Sequence, residues 1–486
     1  MLAGGPDTTT AEPVPAAATA ARGGATMAGA RALGIALSLV SAPILVHHLG
    51  VAGFGRYTTV TALIGLVGTS TEAGLLAIAL REYAVQHGEG RTLVMRHLLG
   101  IRLAVTVTGV LVALAFGIVA GYDDVRVLGI LAAGTGLVLL MVQSLLTVPL
   151  QAGGRFGRVS ALELLRQVLA VAGILALVLA GSGLGPFFLV PVVAAAAVLA
   201  VTIRIVRPTQ SLRPTVAPRA WGGLLRDTFP FAIATAIYAA YFRVAIIVMS
   251  VRSSAIETGL FATSYRVVEV LLALPAIAVT ATYPVLARAE RDDHLRFERA
   301  SVRMVELALI AGVATALGLV LAAPLIIDLL APADGLPAVA VLRIQAPSMI
   351  ATFVAMACVF PLLTLRRSQA ILIANAVAFV AALALTVSLV DSHGARGAAT
   401  ATTIAEFLLA AVIVVLLRRE IPSLARVARL LGPVALAGAA GAAVLAIPGV
   451  PPVLDTLVGL AAFITVLAGL GQLPHELTHL RRSRGS

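Results

Sequence analysis

Lysine is absent from all 486 residues and cysteine occurs once, at Cys358. Arginine therefore carries the whole positive charge, a bias that reflects base composition more readily than chemistry. The lone cysteine excludes an intramolecular disulfide and leaves the redox compartment unspecified. Charge of either sign is scarce, at 12% of residues against 60% hydrophobic, and the mean hydropathy is +1.02. Such proportions exclude a soluble globular protein of this length. Long polar connections are also missing, so no extramembrane catalytic domain has room. That sets aside a membrane glycan polymerase or ligase built around a large outer loop, the competing reading from a different functional class, and predicts that the chain is not an enzyme.

What is present is a series of apolar runs of about 18 to 25 residues, each able to span about 30 Å of hydrocarbon as a helix. They predict an all-α polytopic membrane protein of about fourteen transmembrane helices, running from residues 27–48 to residues 453–473. With the N-terminus placed in the cytoplasm, 24 of the 35 arginines fall in the N-terminal segment, the even-to-odd loops and the C-terminal tail. Only Arg56, Arg126, Arg252 and Arg396 fall in the loops of the other side. The positive-inside rule then puts both termini in the cytoplasm of a multi-pass cell-membrane protein. A pI near 11.1 invites a nucleic-acid reading, but the arginines are spread over short loops without interleaved aromatics, so no nucleic-acid partner is expected. They orient helices and touch anionic lipid.

The longest connection, residues 206–229, carries Arg207, Arg213, Arg219 and Arg226 among three prolines. It divides the chain into a disordered cytoplasmic tail (1–25), a first lobe of six helices (26–205), this linker, and a second lobe of six helices (230–420). A further helix pair (421–474) and a cytoplasmic tail (475–486) follow. The long polar start is a poor match to a signal peptide, so the first span is expected to be retained. A weak repeat supports the two lobes, since Ala52-Gly-Phe-Gly-Arg-Tyr57 opens the second helix much as Glu257-Thr-Gly-Leu-Phe261 opens the eighth. Pseudo-repeated lobes around a midplane site are a common transporter plan.

Three charges stand inside the central spans: Arg243, Arg266 and Glu269. A charge in hydrocarbon costs several kcal/mol unless it meets a partner or water, so such residues mark a pathway or an internal ion pair. Arg266 and Glu269 are three apart on one helix and can pair with each other. Glu72, in the second span, has no arginine three or four positions away and is the candidate protonatable coupling residue, with Glu269 beside it as a second. Arg31 lies a turn into the first helix, where it can line a cavity or snorkel to the boundary. Arg81 closes the second helix, and Tyr241 shares a face with Tyr238 where it can stack on sugar or pack. Glu163 with Arg166 reads as a local pair, and Glu406 as structural. His475-Glu-Leu-Thr-His479 matches the zinc-protease pattern, yet no third ligand follows and a polar helix end explains it as well. No metal or cofactor is expected.

Several stretches resemble the polysaccharide-export flippases of the multidrug/oligosaccharidyl-lipid/polysaccharide exporter superfamily. They are Leu49-Gly50, Gly53-Phe-Gly55, Tyr57, Gly74-Leu75 and Arg81; then Tyr241-Phe-Arg-Val244, Gly259-Leu-Phe-Ala262, Tyr265-Arg266, Leu274-Pro275 and Tyr283-Pro284; and finally Gly394-Ala-Arg-Gly-Ala398 with Ala401-Thr402 and Glu406. The resemblance implies a fourteen-helix flippase that moves a prenyl-pyrophosphate-linked oligosaccharide across the cytoplasmic membrane for cell-surface polysaccharide synthesis. It also implies alternating access around a cationic cavity walled by helices one, two, seven and eight. Arg243, Arg266, Arg31, Arg81 and Tyr241 are then its candidate contacts, because arginine's planar fork suits a pyrophosphate. Glycosyltransferases and a polymerase of the same pathway would be partners beside membrane lipid. Where the family often carries an aspartate after Tyr-Phe-Arg-Val, this chain has Ala245, which argues against ion coupling there. The alternatives are a lipid II flippase, whose motifs in the first two helices match less well, and a multidrug exporter, which arginine-rich interior helices disfavour.

Overall fold

The computed structural model describes residues 14–72, 75–206, 215, 218–447 and 451–472. The first lobe opens with α1 (Val14–Glu72), two helices that meet at Gly50, whose φ of 67° and ψ of 171° only glycine adopts without strain. It continues through α2 (Leu75–Val85), α3 (Gly88–Val119), α4 (Asp124–Leu146), α5 (Val148–Ala152), α6 (Phe156–Leu179), α7 (Leu184–Phe187) and α8 (Val190–Val206). The second lobe holds α9 (Pro218–Arg252), α10 (Ala255–Leu271), α11 (Ala273–Asp292), α12 (His294–Leu330), α13 (Ala338–Gln345), α14 (Ser348–Thr364) and α15 (Ser368–Glu420). A terminal pair follows, α16 (Ala428–Ala442) and α17 (Pro452–Gly469).

Among the described residues, eleven helices are long and apolar enough to cross a membrane. Of these, α15 crosses twice, breaking at Gly394 (φ 50°) as α1 breaks at Gly50. The first arm of α1 and the α10–α11 pair complete fourteen crossings among the described residues. The fold is thus an all-α polytopic membrane protein whose helices follow the apolar runs of the sequence, in two lobes with an added pair.

Two boundaries depart from expectation. Helix α1 reaches back to Val14, into the stretch read as a disordered tail, because the alanines of residues 16–21 favour helix without help from packing. Helix α9 begins at Pro218, inside the expected linker, where proline suits a first helical turn. The remainder of that linker, residues 207–214 and 216–217, and the His475 to His479 motif lie outside the described residues.

Lipid tails are as apolar as leucine, so close contact between helices, more than hydrophobic transfer, holds such a bundle together. The second lobe meets that demand with small residues: Ala357, Cys358, Ala374, Ala378, Ala382 and Ala405 are all fully buried in one core. In the terminal pair, Val434, Ala437, Phe463 and Leu467 pack on Leu309, Leu317 and Leu321 of α12. The pair therefore extends the second lobe rather than standing apart from it.

Candidate functional site

At the end of the bundle that carries Gly50 the two lobes touch through backbone. A Cβ on Gly55 would lie 2.2 Å from the Ala255 carbonyl oxygen, and one on Gly259 would lie 1.9 Å from that of Val51. The contact is reciprocal, between the opening turns of the second and eighth crossings. The two repeat segments of the sequence thus face each other across the lobe boundary. Tyr122, at the end of the first lobe, adds a hydrogen bond of 2.6 Å to Ser250 of α9. The Arg126 guanidinium lies 4.4 Å from the Tyr122 ring centroid and bonds Asp123 at 2.7 Å. Partial burial pushes the Asp123 carboxyl up, but Arg126, with Arg56 farther off, outweighs it and holds that group below the ordinary carboxylate range. The charges beside this closed end are therefore fixed at neutral pH.

Toward the opposite end the lobes part around a cavity of about 850 Å³, lined by α1, α4, α5 and α6 of the first lobe and α10 and α11 of the second. Its wall reaches Gln151, Val159 and Ser160, beside the turn at Gly153 and Gly154. Five charged residues line it among those described: Glu72, Glu163, Arg166, Arg266 and Glu269. Arg266 bonds Glu269 at 2.6 Å, and Arg166 bonds Glu163 through Nε at 3.0 Å. Both pairs are i,i+3 neighbours, the geometry in which a helix brings opposite charges together. The described lining thus holds three carboxylates and two guanidiniums, and each guanidinium has a glutamate one helical turn away on its own helix.

The expected site residues separate into three groups. Glu72, Arg266 and Glu269 line the cavity together. Arg243 does not: a Cβ on Gly65 would lie 2.7 Å from its Cζ, so the guanidinium lies against α1 at the lobe boundary. It pairs with neither Glu72 nor Glu269, the partners that a structural role would supply. Arg81 is exposed near the end of α2 and is not part of the lining. The side chain of Arg31 lies outside what the structure describes.

Tyr241 turns away from the cavity into the second lobe. It is 6% exposed and donates a 2.7 Å hydrogen bond to Glu406, whose other oxygen accepts from Thr352 at 3.0 Å. Stacking on sugar is therefore corrected to an internal role. A carboxylate this deep is held by its donors, and losing one leaves a buried acceptor unmet at about 1–3 kcal/mol. Tyr241→Phe should accordingly lower the thermal unfolding midpoint in detergent by several degrees with the cavity unaltered. An unchanged midpoint would remove Glu406 as a packing centre.

Two features escaped the sequence. Glu163 and Arg166 form the local pair expected, but the pair faces the cavity. Arg102 of α3 is fully buried behind the same wall. The only available sign was an arginine inside the third apolar run.

A family profile described as "Polysaccharide biosynthesis protein" matches residues 20–290. No curated protein sequence matches. Among solved structures, one described as the lipid II flippase MurJ in an inward closed conformation superposes with a TM-score of 0.73 at 12% identity, covering 91% of this chain and 98% of the other. An inward-facing multidrug resistance MATE family transporter of the MOP superfamily gives 0.62 at 15% identity, covering 81% and 96%. A MOP superfamily transporter from Pyrococcus furiosus, described as having a binding pocket of reverse polarity, gives 0.56 at 15% identity, covering 84% and 96%. At these identities the likeness is one of fold.

Proposed function

The chain belongs to the polysaccharide biosynthesis protein family, and from that premise we propose that it is a flippase carrying a prenyl-pyrophosphate-linked saccharide across the cell membrane by alternating access. One observation carries the reading: both lobes wall one cavity, and the same two lobes meet in a tight backbone contact elsewhere, at the Gly50 end. Two lobes that seal at one end and part at the other can exchange those roles by rocking, with the polar headgroup held between them. The prenyl tail stays in lipid, while Arg266, Arg166 and the polar side chains Ser144, Gln143 and Gln167 present donors to phosphate and sugar. The cavity would open to the cytoplasm, with both termini on that side.

A second reading, transport of lipid II, is favoured by the superposition on the lipid II flippase along nearly its whole length. That likeness outweighs the poorer motif match in the first two helices and supports lipid II better than a polymerised surface glycan's precursor. Both substrates share the prenyl-pyrophosphate, which is the part this cavity is suited to hold.

Cys358 is fully buried, so single cysteines placed at Val171 and Val270 of the cavity wall can be labelled without background. We expect labelling from one membrane face and protection by a prenyl-pyrophosphate-linked saccharide. Protection by a lipophilic cation instead would mark a multidrug exporter, and no labelling at all would remove the cavity.

A further inference from the structure

Among the described residues of the first lobe, Arg102 is the one large charged side chain that is 0% exposed. Its Nη2 donates to Met141 Sδ at 2.8 Å and to Ser144 Oγ at 3.3 Å. Its Nε and Nη1 have no hydrogen-bond partner. Met141 and Ser144 both line the cavity, and so does Glu72, the carboxylate whose charge acts on Arg102. The guanidinium therefore stands one side chain behind the cavity wall.

This arrangement is unfavourable as it stands. An ionised group out of water needs a counter-charge and hydrogen bonds to its remaining donors. A thioether is a weak acceptor, and the Ser144 hydroxyl already donates to the Met141 carbonyl at 2.9 Å. Neither neutralises charge. Arg166 and Arg266 differ, since each holds a glutamate of its own helix. An anion entering the cavity would find those two guanidiniums offering only the donors their glutamates leave over, and Arg102 short of acceptors.

We propose that Arg102 is a phosphate-binding residue of the cavity, screened by Met141 and Ser144 in this state and presented to the pyrophosphate when the Met141 side chain swings aside. The proposal rests on the lipid-linked substrate argued above. Methionine suits the screen, because its unbranched side chain repacks at little cost. Arginine suits the site, because its planar fork binds two phosphate oxygens and stays charged when desolvated. Glu72 is the carboxylate that a bound phosphate would displace from its influence on Arg102. A neutral residue at position 72 should therefore bind the anion more tightly.

The test is calorimetric titration of the purified full chain in detergent with inorganic pyrophosphate and with farnesyl pyrophosphate, farnesol serving as the tail alone. Arg102→Met should weaken both pyrophosphates about tenfold or more, the expected effect of losing a charge-assisted pair, and leave the thermal midpoint unchanged or raised. Glu72→Gln and Met141→Ala, which keep Arg102 in place, should tighten binding several-fold. A lowered midpoint with unchanged affinity in Arg102→Met would assign Arg102 a packing role and overturn the proposal. Unchanged or weaker binding in Met141→Ala overturns it even if Arg102→Met does not fold. A wild-type protein that binds neither pyrophosphate would overturn the substrate reading with it. Wild-type binding that Arg102→Met does not alter overturns only the role of Arg102.

Discussion

Gly259→Val should abolish transport while leaving the protein folded and in the membrane. The Cβ alone would sit 1.9 Å from the Val51 carbonyl oxygen and 2.8 Å from its Cγ1, and two further methyl groups have no place to go. Neither α1 nor α10 can yield by rotating a side chain, because the obstacle is backbone. The lobes must separate at that end. Overpacking of this kind costs about 1–3 kcal/mol, and applied to one state of a two-state equilibrium it shifts the populations about 5- to 150-fold. The state closed at the Gly50 end would be depleted, and a carrier confined to one state does not turn over. Gly55→Val, which meets Ala255 oxygen and the Gly259 backbone from the other side, should act alike. Spin labels across Tyr122 and Ser250 would report the separation directly. A variant that transports normally, or keeps the wild-type distance, would show that the contact is packing without a gating role.

The second large effect concerns Arg243. Its guanidinium lies on Gly65 of α1, between the cavity and the closed end, and is half-buried. Removing one member of an internal ion pair strands a charge at a cost of about 3–5 kcal/mol. Arg243, however, has no ion pair among the described residues, so Arg243→Ala strands nothing. The variant should keep its stability and lose transport about tenfold or more, because the positive charge that a pyrophosphate meets on crossing between the lobes is gone. Arg243→Lys should recover part of the activity, since charge persists without the planar fork. Loss of stability comparable to the loss of transport would assign Arg243 to structure instead.

Helix number and lobe division were legible because hydrocarbon imposes one rule on every span: about 20 apolar residues, with backbone bonds closed internally. The turns at Gly50 and Gly394 were likewise visible as glycine-bearing motifs. What the sequence did not disclose depended on which way a helix faces. Arg266 and Glu269 could be paired from their spacing, but that the pair lines a cavity required the rotation of α10 about its axis. Tyr241 has the composition of a sugar-stacking residue and the direction of a core one, because its hydroxyl finds Glu406, a residue 165 positions later. Arg102 was hidden for a similar reason. One arginine near the start of an apolar run looks the same whether it snorkels to the boundary or is buried behind Met141 and Ser144. The alanine-rich start misled in the other direction, its low complexity suggesting disorder where helix propensity prevailed.

Translocation itself offers the most direct measurement. Proteoliposomes holding the purified chain and a fluorescent prenyl-pyrophosphate-linked saccharide, with an impermeant quencher or glycosidase added outside, report the fraction of headgroups that changes leaflet. The expected result is protein-dependent movement that Gly259→Val abolishes and that a prenyl-linked saccharide lacking the pyrophosphate does not show. Equal movement with and without the protein, or equal movement in the Gly259→Val variant, would contradict it.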